Sequence, residues 1–282
     1  MPLSRRRFLR SMGYSTLGLG GLVVGGYFYG TRIEIDRLRL ERVTIPIRGL
    51  GSSLDGFKIA VLADFHLYPT TTREEIQAAV DLANSTQPDL AVLLGDFVQK
   101  RADAIFDLAP ILARLNPRQG IFSILGNHDH WKGVEVVIQG LKESGLPVLR
   151  NSGHTLSIGN RLLYLAGVDD GWEKKNDLRA AMEGMPSEAL TICLMHEPDF
   201  ADPFSADPRI ALQLSGHSHG GQFRIPFYGS PFLPPYGRKY DQGLYRVNGM
   251  WLYTNVGIGV TVPMRFNCPP EVTEVTLVDA PS

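Results

Sequence analysis

The 282-residue chain is 44% hydrophobic and 20% charged, values of a folded globular protein that exclude a disordered, collagenous or multi-span membrane chain. Its formal net charge is −1, and because residues 1–30 hold Arg5, Arg6, Arg7 and Arg10 but no acid, the remainder is mildly acidic. Such a surface lacks the basic stripe that sequence-independent nucleic-acid binding needs, so no nucleic-acid partner is expected.

The first element is an address. A basic cluster at Arg5–Arg7 and Arg10 precedes a glycine-rich apolar stretch from about Met12 to Tyr29, the order of a targeting segment. Paired arginines before Phe8 and Leu9 resemble a twin-arginine (Tat) signal; an ordinary membrane anchor with basic flanks is the other reading. No small-x-small cleavage site follows, and the stretch is near the lower length limit of a span. Residues 1–32 are therefore expected to be a Tat-type signal or N-terminal membrane anchor, and residues 33–282 the functional domain. The arginines before the stretch predict an N-in orientation, with the domain exported by the Tat machinery, periplasmic or extracytoplasmic, and held at the cytoplasmic membrane if the segment stays attached.

Strand and helix patterns then alternate. Strands are predicted over Phe57–Ala63, Asp89–Leu94 and Gly120–Leu125, with helices over Arg73–Ser85, about Ala104–Leu115 and about Gly133–Glu143, which argues for βαβ units and mainly parallel pairing. The second half is richer in strands: Leu162–Ala166, Leu190–Met195, Ile210–Leu214, Met250–Asn255 and Glu274–Val278, with short helices near Asn176–Glu183 and Phe200. A second sheet packed on the first accounts for this best. Cys193 lies in an apolar run and reads as a free core thiol rather than half of a disulfide. The segment Phe223–Tyr236, rich in proline and aromatic residues, is either a long connection packed on the domain or a lip for an apolar substrate or a bilayer surface.

The first three strands each lead into polar groups: Asp64 and His66, then Gly95 and Asp96, then Gly126, Asn127, His128 and Asp129. Later strands deliver His196, and then Gly216, His217 and His219. Carboxyl ends of parallel strands are where α/β folds place their sites. Five of the seven histidines fall in these clusters. Imidazole and carboxylate without thiolate suit Mn, Fe or Zn, and the ligands outnumber what one tetrahedral ion needs, so two divalent or transition-metal ions are implied. Such a pair clamps a phosphoryl oxygen and lowers the pKa of a bound water from about 15.7 towards neutrality.

Asp-x-His, Gly-Asp, Gly-Asn-His-Asp, a lone His and Gly-His-x-His, in this order from about residue 57, resemble the signature of calcineurin-like metallophosphoesterases. The resemblance implies a calcineurin-like four-layer α-β-β-α sandwich of two mixed sheets flanked by helices. It implies that Asp64, His66 and His219 hold one metal, Asp96 bridges, and Asn127, His196 and His217 complete the second. It gives His128 a catalytic role, protonating the leaving oxygen or stabilising transition-state charge, with Asp129 orienting His128 and fixing its tautomer. Residues 216–222, 239–245 and 265–271 further resemble a membrane-linked bacterial branch described as phosphodiesterases or as similar to UDP-2,3-diacylglucosamine pyrophosphatases. Arg238, Arg265 and Asn267 either face phosphate or are surface and turn residues; His130 and His154 have no assigned place.

The expected function is hydrolysis of a phosphodiester or pyrophosphate bond in a lipid-linked or cell-envelope phosphate ester. A phosphomonoesterase or protein phosphatase on the same metal pair, and a non-catalytic metal-bound scaffold, remain open.

Overall fold

The apolar runs of the chain assemble into two sheets packed face to face. A computed structural model describes residues 20–21 and 23–280; the arginine cluster and the start of the apolar stretch lie outside the described residues. Four strands come first: β1 (Arg39–Ile47), β2 (Lys58–Leu62), β3 (Leu90–Leu94) and β4 (Ile121–Ile124). A second sheet is built from β5 (Ser152–Ile158), β6 (Arg161–Gly167), β7 (Leu190–Leu194), β8 (Ile210–Ser215), β9 (Gly243–Val247) and β10 (Met250–Thr254), and β11 (Glu271–Asp279) returns to the first. The orders are β1-β11-β2-β3-β4 and β5-β6-β7-β8-β10-β9. Pairing is parallel through β2-β3-β4 and β6-β7-β8-β10, as expected of βαβ units. Antiparallel pairs occur where β11 meets β2 and at the β5 and β9 edges.

Helices α1 (Arg73–Ser85), α2 (Ile105–Leu112) and α3 (Asn127–Glu143) cover the outer face of the first sheet, and the short α4 (Leu178–Ala181) and α5 (Ala201–Phe204) lie on the second. Helix α1 starts at a capping box: the Thr72 hydroxyl accepts the Glu75 N–H (3.3 Å), and the Glu75 carboxylate accepts the Thr72 N–H (2.6 Å), satisfying two otherwise unpaired donors. Side chains of β2 alternate faces, with Ile59 and Val61 between the sheets and Ala60 and Leu62 under the helices. Strand β3 is buried on both faces, which is why it reads as a continuous apolar run. Truncating an inter-sheet side chain such as Leu194, 0% exposed, is expected to cost about 2–5 kcal/mol.

Three strands escaped the sequence reading. Strand β5 is exposed at most positions, β9 alternates weakly, and β1 is half exposed and carries Pro46, so none shows the apolar period that marks a buried strand. Helix α3 begins six residues earlier than its periodicity suggests. It is kinked at Gly133 (φ 136°), and Asp129 caps its first turn by accepting the Gly126 N–H (3.0 Å). Both cysteines are buried and free. The described residues up to position 32, 20–21 and 23–32, are helical, and among the described residues no helix is long and apolar enough to cross a membrane.

Candidate metal centre

The turns that follow β2, β3, β7 and β8, together with the start of α3, meet at one end of the two sheets. Asp64, His66 and His196 are wholly buried, and Asp96, Asn127, His217 and His219 are at most 5% exposed. Five of these seven hold left-handed backbone: Asp64 (φ 53°), His66 (φ 44°), Asp96 (φ 54°), His217 (φ 69°) and His219 (φ 51°). Non-glycine residues rarely take this conformation, and strain of this kind concentrates where a site demands a particular side-chain direction. Glycines make room for it. A Cβ on Gly126 would fall 2.4 Å from Asp96 Oδ1, and one on Gly216 would fall 2.5 Å from Asp64 Oδ2.

Ligand-type atoms converge. His66 Nε2 and His219 Nε2 are 2.9 Å apart, with Asp64 Oδ1 at 3.9 Å and 3.3 Å from them. Asp96 Oδ2 lies 3.4 Å from His66 Nε2 and 3.3 Å from His196 Nε2, between the two groups. The tautomers of two rings follow from their partners. His196 Nδ1–H donates to Leu94 O (2.6 Å), and His217 Nε2–H donates to Pro235 O (2.8 Å), which leaves His196 Nε2 and His217 Nδ1 as the ring atoms free to meet a ligand. Neither His196 Nε2 nor the buried Asn127 Oδ1 has a hydrogen-bond partner among the described residues.

Burial pushes the Asp64 carboxyl up to about 7, with His196 opposing and Asp96 reinforcing the shift. Burial lowers His66 and His217 to about 3 and His219 well below its ordinary value, keeping three imidazoles neutral. His196 goes the other way: burial opposes its charge, but Asp96 and Asp64 outweigh it and raise its pKa well above the usual value. This negative field, surrounded by neutral imidazoles and orphaned acceptors, fits divalent cations of the Mn, Fe or Zn type. Among the described residues, candidate metal-holding groups form around Asp64, His66 and His219, around His66, Asp96 and His128, and around Asp64, Asp96 and His196.

His128 sits at the opening of this centre. Its backbone N–H donates to Asp96 Oδ1 (2.8 Å), and its ring lies edge-on to His66 (4.6 Å) and tilted against Trp131 (5.0 Å). Asp129 departs from the expected role. Its carboxylate accepts backbone N–H groups of Asp96 (3.0 Å), Phe97 (2.9 Å) and Gly126 (3.0 Å), which binds the β3 turn to the α3 terminus instead of orienting the His128 ring. The reason is geometric: as the third residue of α3 it points back over the helix start. His130 Nε2 meets Asp169 Oδ1 at 2.7 Å, and Arg150 Nε donates to Asp169 Oδ2 at 2.6 Å. His154 packs its ring on Phe122 (4.7 Å), far from any ligand role.

A cavity of about 890 Å³ opens over the centre, lined by Trp131, Trp172, Phe223, Phe232, Val262 and Met264. Trp172 meets Trp131 at 5.1 Å and His217 at 5.6 Å. Its loop is fixed by the buried Glu197 carboxyl, which accepts the Gly171 and Trp172 N–H groups at 3.1 Å and 2.8 Å. Arg238 lines the cavity. Arg265 takes neither role open to it: it is 0% exposed and donates to the carbonyls of Val256, Gly257, Gly259 and Cys268. Asn267 is an exposed turn residue whose N–H is held by Glu34. The two tryptophans, Glu197 and the buried role of Arg265 left no mark in the sequence, because single aromatic or charged residues in irregular segments carry no period.

Known proteins resemble this chain. Residues 57–221 fit the calcineurin-like phosphoesterase family profile. The metallophosphoesterase YkuE of Bacillus subtilis is 36% identical over 281 residues, 98% of each chain. The phosphodiesterase YaeI of Escherichia coli is 32% identical over 283 residues, 98% of this chain and all of that one. Among solved structures, the NAD nucleotidase NadN of Haemophilus influenzae aligns with 72% of this chain and 45% of its own at 14% identity and a TM-score of 0.48. The chain belongs to the calcineurin-like phosphoesterase family and is a metal-dependent phosphoester hydrolase.

Proposed function

We propose that the chain is a dinuclear-metal phosphodiesterase or pyrophosphatase acting on a lipid-linked or cell-envelope phosphate. The observation that carries this reading is the junction of the buried centre with a large, mostly apolar cavity. Asp64, His66 and His219 would hold one ion, Asn127, His196 and His217 the other, with Asp96 between them. The bound metals supply Lewis-acid stabilisation of phosphoryl oxygens and a lowered water pKa. His128, beside Asp96 and His66 at the cavity floor, is placed to give a proton to the departing oxygen. Asp129 holds the two backbone turns that carry Asp96 and Asn127. Trp131, Trp172 and the other apolar lining residues accommodate an acyl or isoprenoid arm, so a diester or pyrophosphate with two substituents uses more of the cavity than a monoester does. The relationship to the phosphodiesterase YaeI favours the same bond type. The basic, apolar amino terminus supports export by the Tat route and retention at the cytoplasmic membrane.

The test is hydrolysis by the manganese-loaded full chain of bis-p-nitrophenyl phosphate beside p-nitrophenyl phosphate. Diester preference, lost at least about a hundredfold in Asp96→Asn, is expected. Monoester preference would assign the chain to the phosphatases, and metal-replete protein silent on both would point to a scaffold.

A further inference from the structure

Exposed apolar side chains gather around the cavity, where Phe232 and Val262 both line it and face solvent. Phe227 is as exposed as a free side chain (112%), and Tyr228 and Phe232 are 75% and 72% exposed on the same loop. The N-terminal helix presents Val23, Val24, Tyr27 and Phe28 to solvent. Phe266 joins the two segments: it stacks on Phe223 at 5.3 Å and receives Tyr29 edge-on at 6.2 Å.

Both segments are pinned to the domain. Arg224 N–H donates to Phe266 O (2.9 Å), and Arg265 N–H donates to Gly30 O (3.0 Å). Glu34 accepts the N–H groups of Asn267 (2.9 Å) and Cys268 (2.6 Å). A Cβ on Gly30 would stand 2.7 Å from Arg265 O, so the helix can lie this close only because that position is glycine. Cys268 Sγ in turn contacts His219 O at 3.3 Å. The helix is thus a rigid bracket that ends beside the metal centre, not a loose tether.

We propose that this face rests on a lipid bilayer, with Phe227 and Tyr228 in the interfacial layer and the cavity mouth opening onto the headgroups. Three features select a bilayer as the occupant. The helix leads back into residues 1–19, which carry four arginines and apolar residues and no acid, a composition suited to a membrane and its anionic headgroups. Phe227 projects with nothing of its own chain to pack on, and a fluid apolar medium accepts such a side chain, whereas a second copy would need a matching pocket. Aromatic side chains with one polar end, such as Tyr228, are also favoured at the interface between hydrocarbon and water. The apolar cavity wall continues outward, because Phe232 and Val262 line the cavity and are also exposed. The hydrocarbon chains of a phosphodiester lipid would therefore stay against apolar surface while its phosphate entered the candidate metal centre. This deepens the proposed function and rests on it for the substrate, though not for the docking itself.

The experiment places the full chain in phosphatidylcholine–phosphatidylglycerol vesicles with a nitroxide at Phe227→Cys, or at Ser187→Cys near the opposite ends of the strands. Cys193 and Cys268 are buried, so the introduced thiol takes the label. Greater collision with oxygen than with a water-soluble nickel chelate at position 227, and the reverse at 187, is expected. A label at 227 as water-exposed as that at 187, or spin–spin broadening from a second copy, would overturn the docking. In parallel, Phe227→Ser combined with Tyr228→Ser should leave bis-p-nitrophenyl phosphate hydrolysis unchanged and lower cleavage of a phosphatidyl p-nitrophenyl ester in vesicles about tenfold or more. Equal effects on both substrates would contradict the proposal. A native chain inactive on both esters would refute the phosphodiesterase reading, and the label at 227 would still decide the docking.

Discussion

His66 and His219 face each other with their Nε2 atoms 2.9 Å apart, although 153 residues separate them in the chain. Asp64 Oδ1 closes the triangle at 3.3 Å from His219. Two neutral imidazoles meet at this distance either through an Nε2–H···Nε2 hydrogen bond or, with both lone pairs turned inward, around a shared cation. Burial pushes their pKa values down, so neither ring carries the extra proton that would bar it from acting as a ligand.

Metal removal is therefore expected to loosen the whole domain. At a free metal concentration a hundred times the dissociation constant, binding stabilises by about 2.7 kcal/mol, roughly 5 °C in a chain of this size. Calorimetry with and without EDTA checks this; an unchanged Tm would show that the centre holds no ion.

Gly126→Ala is expected to abolish activity while the fold survives. The added Cβ would fall 2.4 Å from Asp96 Oδ1 and 2.8 Å from His196 Cε1, displacing two proposed ligands at a destabilisation of about 1–3 kcal/mol. Circular dichroism should stay native-like, with bound metal reduced and diester hydrolysis down by about a hundredfold or more. Full activity in this variant would show that Asp96 and His196 are not ligands.

Arg265→Met should destabilise the chain by about 3 kcal/mol or more, because four buried carbonyls lose a charged donor. Arg265→Lys, which keeps the charge but not the fork, should recover only part of this. Chemical denaturation of the metal-loaded chain measures both. A loss under about 0.5 kcal/mol in the Met variant would mean that the loop holding Gly257 against Asp64 does not depend on Arg265.

The cluster of candidate ligands was legible in the sequence because each member is a polar type placed directly after an apolar strand, in a fixed order. The same logic found the sandwich from runs such as Leu90–Leu94. It missed β5, whose exposed residues carry no apolar period. It also misplaced Asp129, because spacing shows that Asp129 is near His128 but not that its carboxylate turns back to the Gly126 N–H. Trp131 and Trp172 form a wall only after the β6–β7 connection folds over α3, a contact that no local pattern encodes.

The His130–Asp169–Arg150 cluster, in the first turn of α3 and its surroundings, gives a pH signature of its own. Burial works against charge on His130, but the hydrogen bond to Asp169 and the charges of Asp169 and Asp170 outweigh it and raise its pKa above the ordinary value. A pKa raised on folding contributes stability that is complete below about 6.5 and is lost as pH rises through the folded value. Unfolding free energy should accordingly fall as pH rises above about 6.5, and His130→Asn should remove that part of the slope. A native-like slope in the variant would place the titration elsewhere.

The most direct test of the dinuclear assignment is to strip the full chain with chelator and titrate Mn²⁺ back. Bound metal is counted by atomic emission while bis-p-nitrophenyl phosphate hydrolysis is followed. Activity that rises with the metal and reaches its plateau at about two ions per chain is predicted, with Asp96→Asn failing to reach either value. Full hydrolysis in the stripped protein, or saturation of both readouts at one ion, would contradict the account.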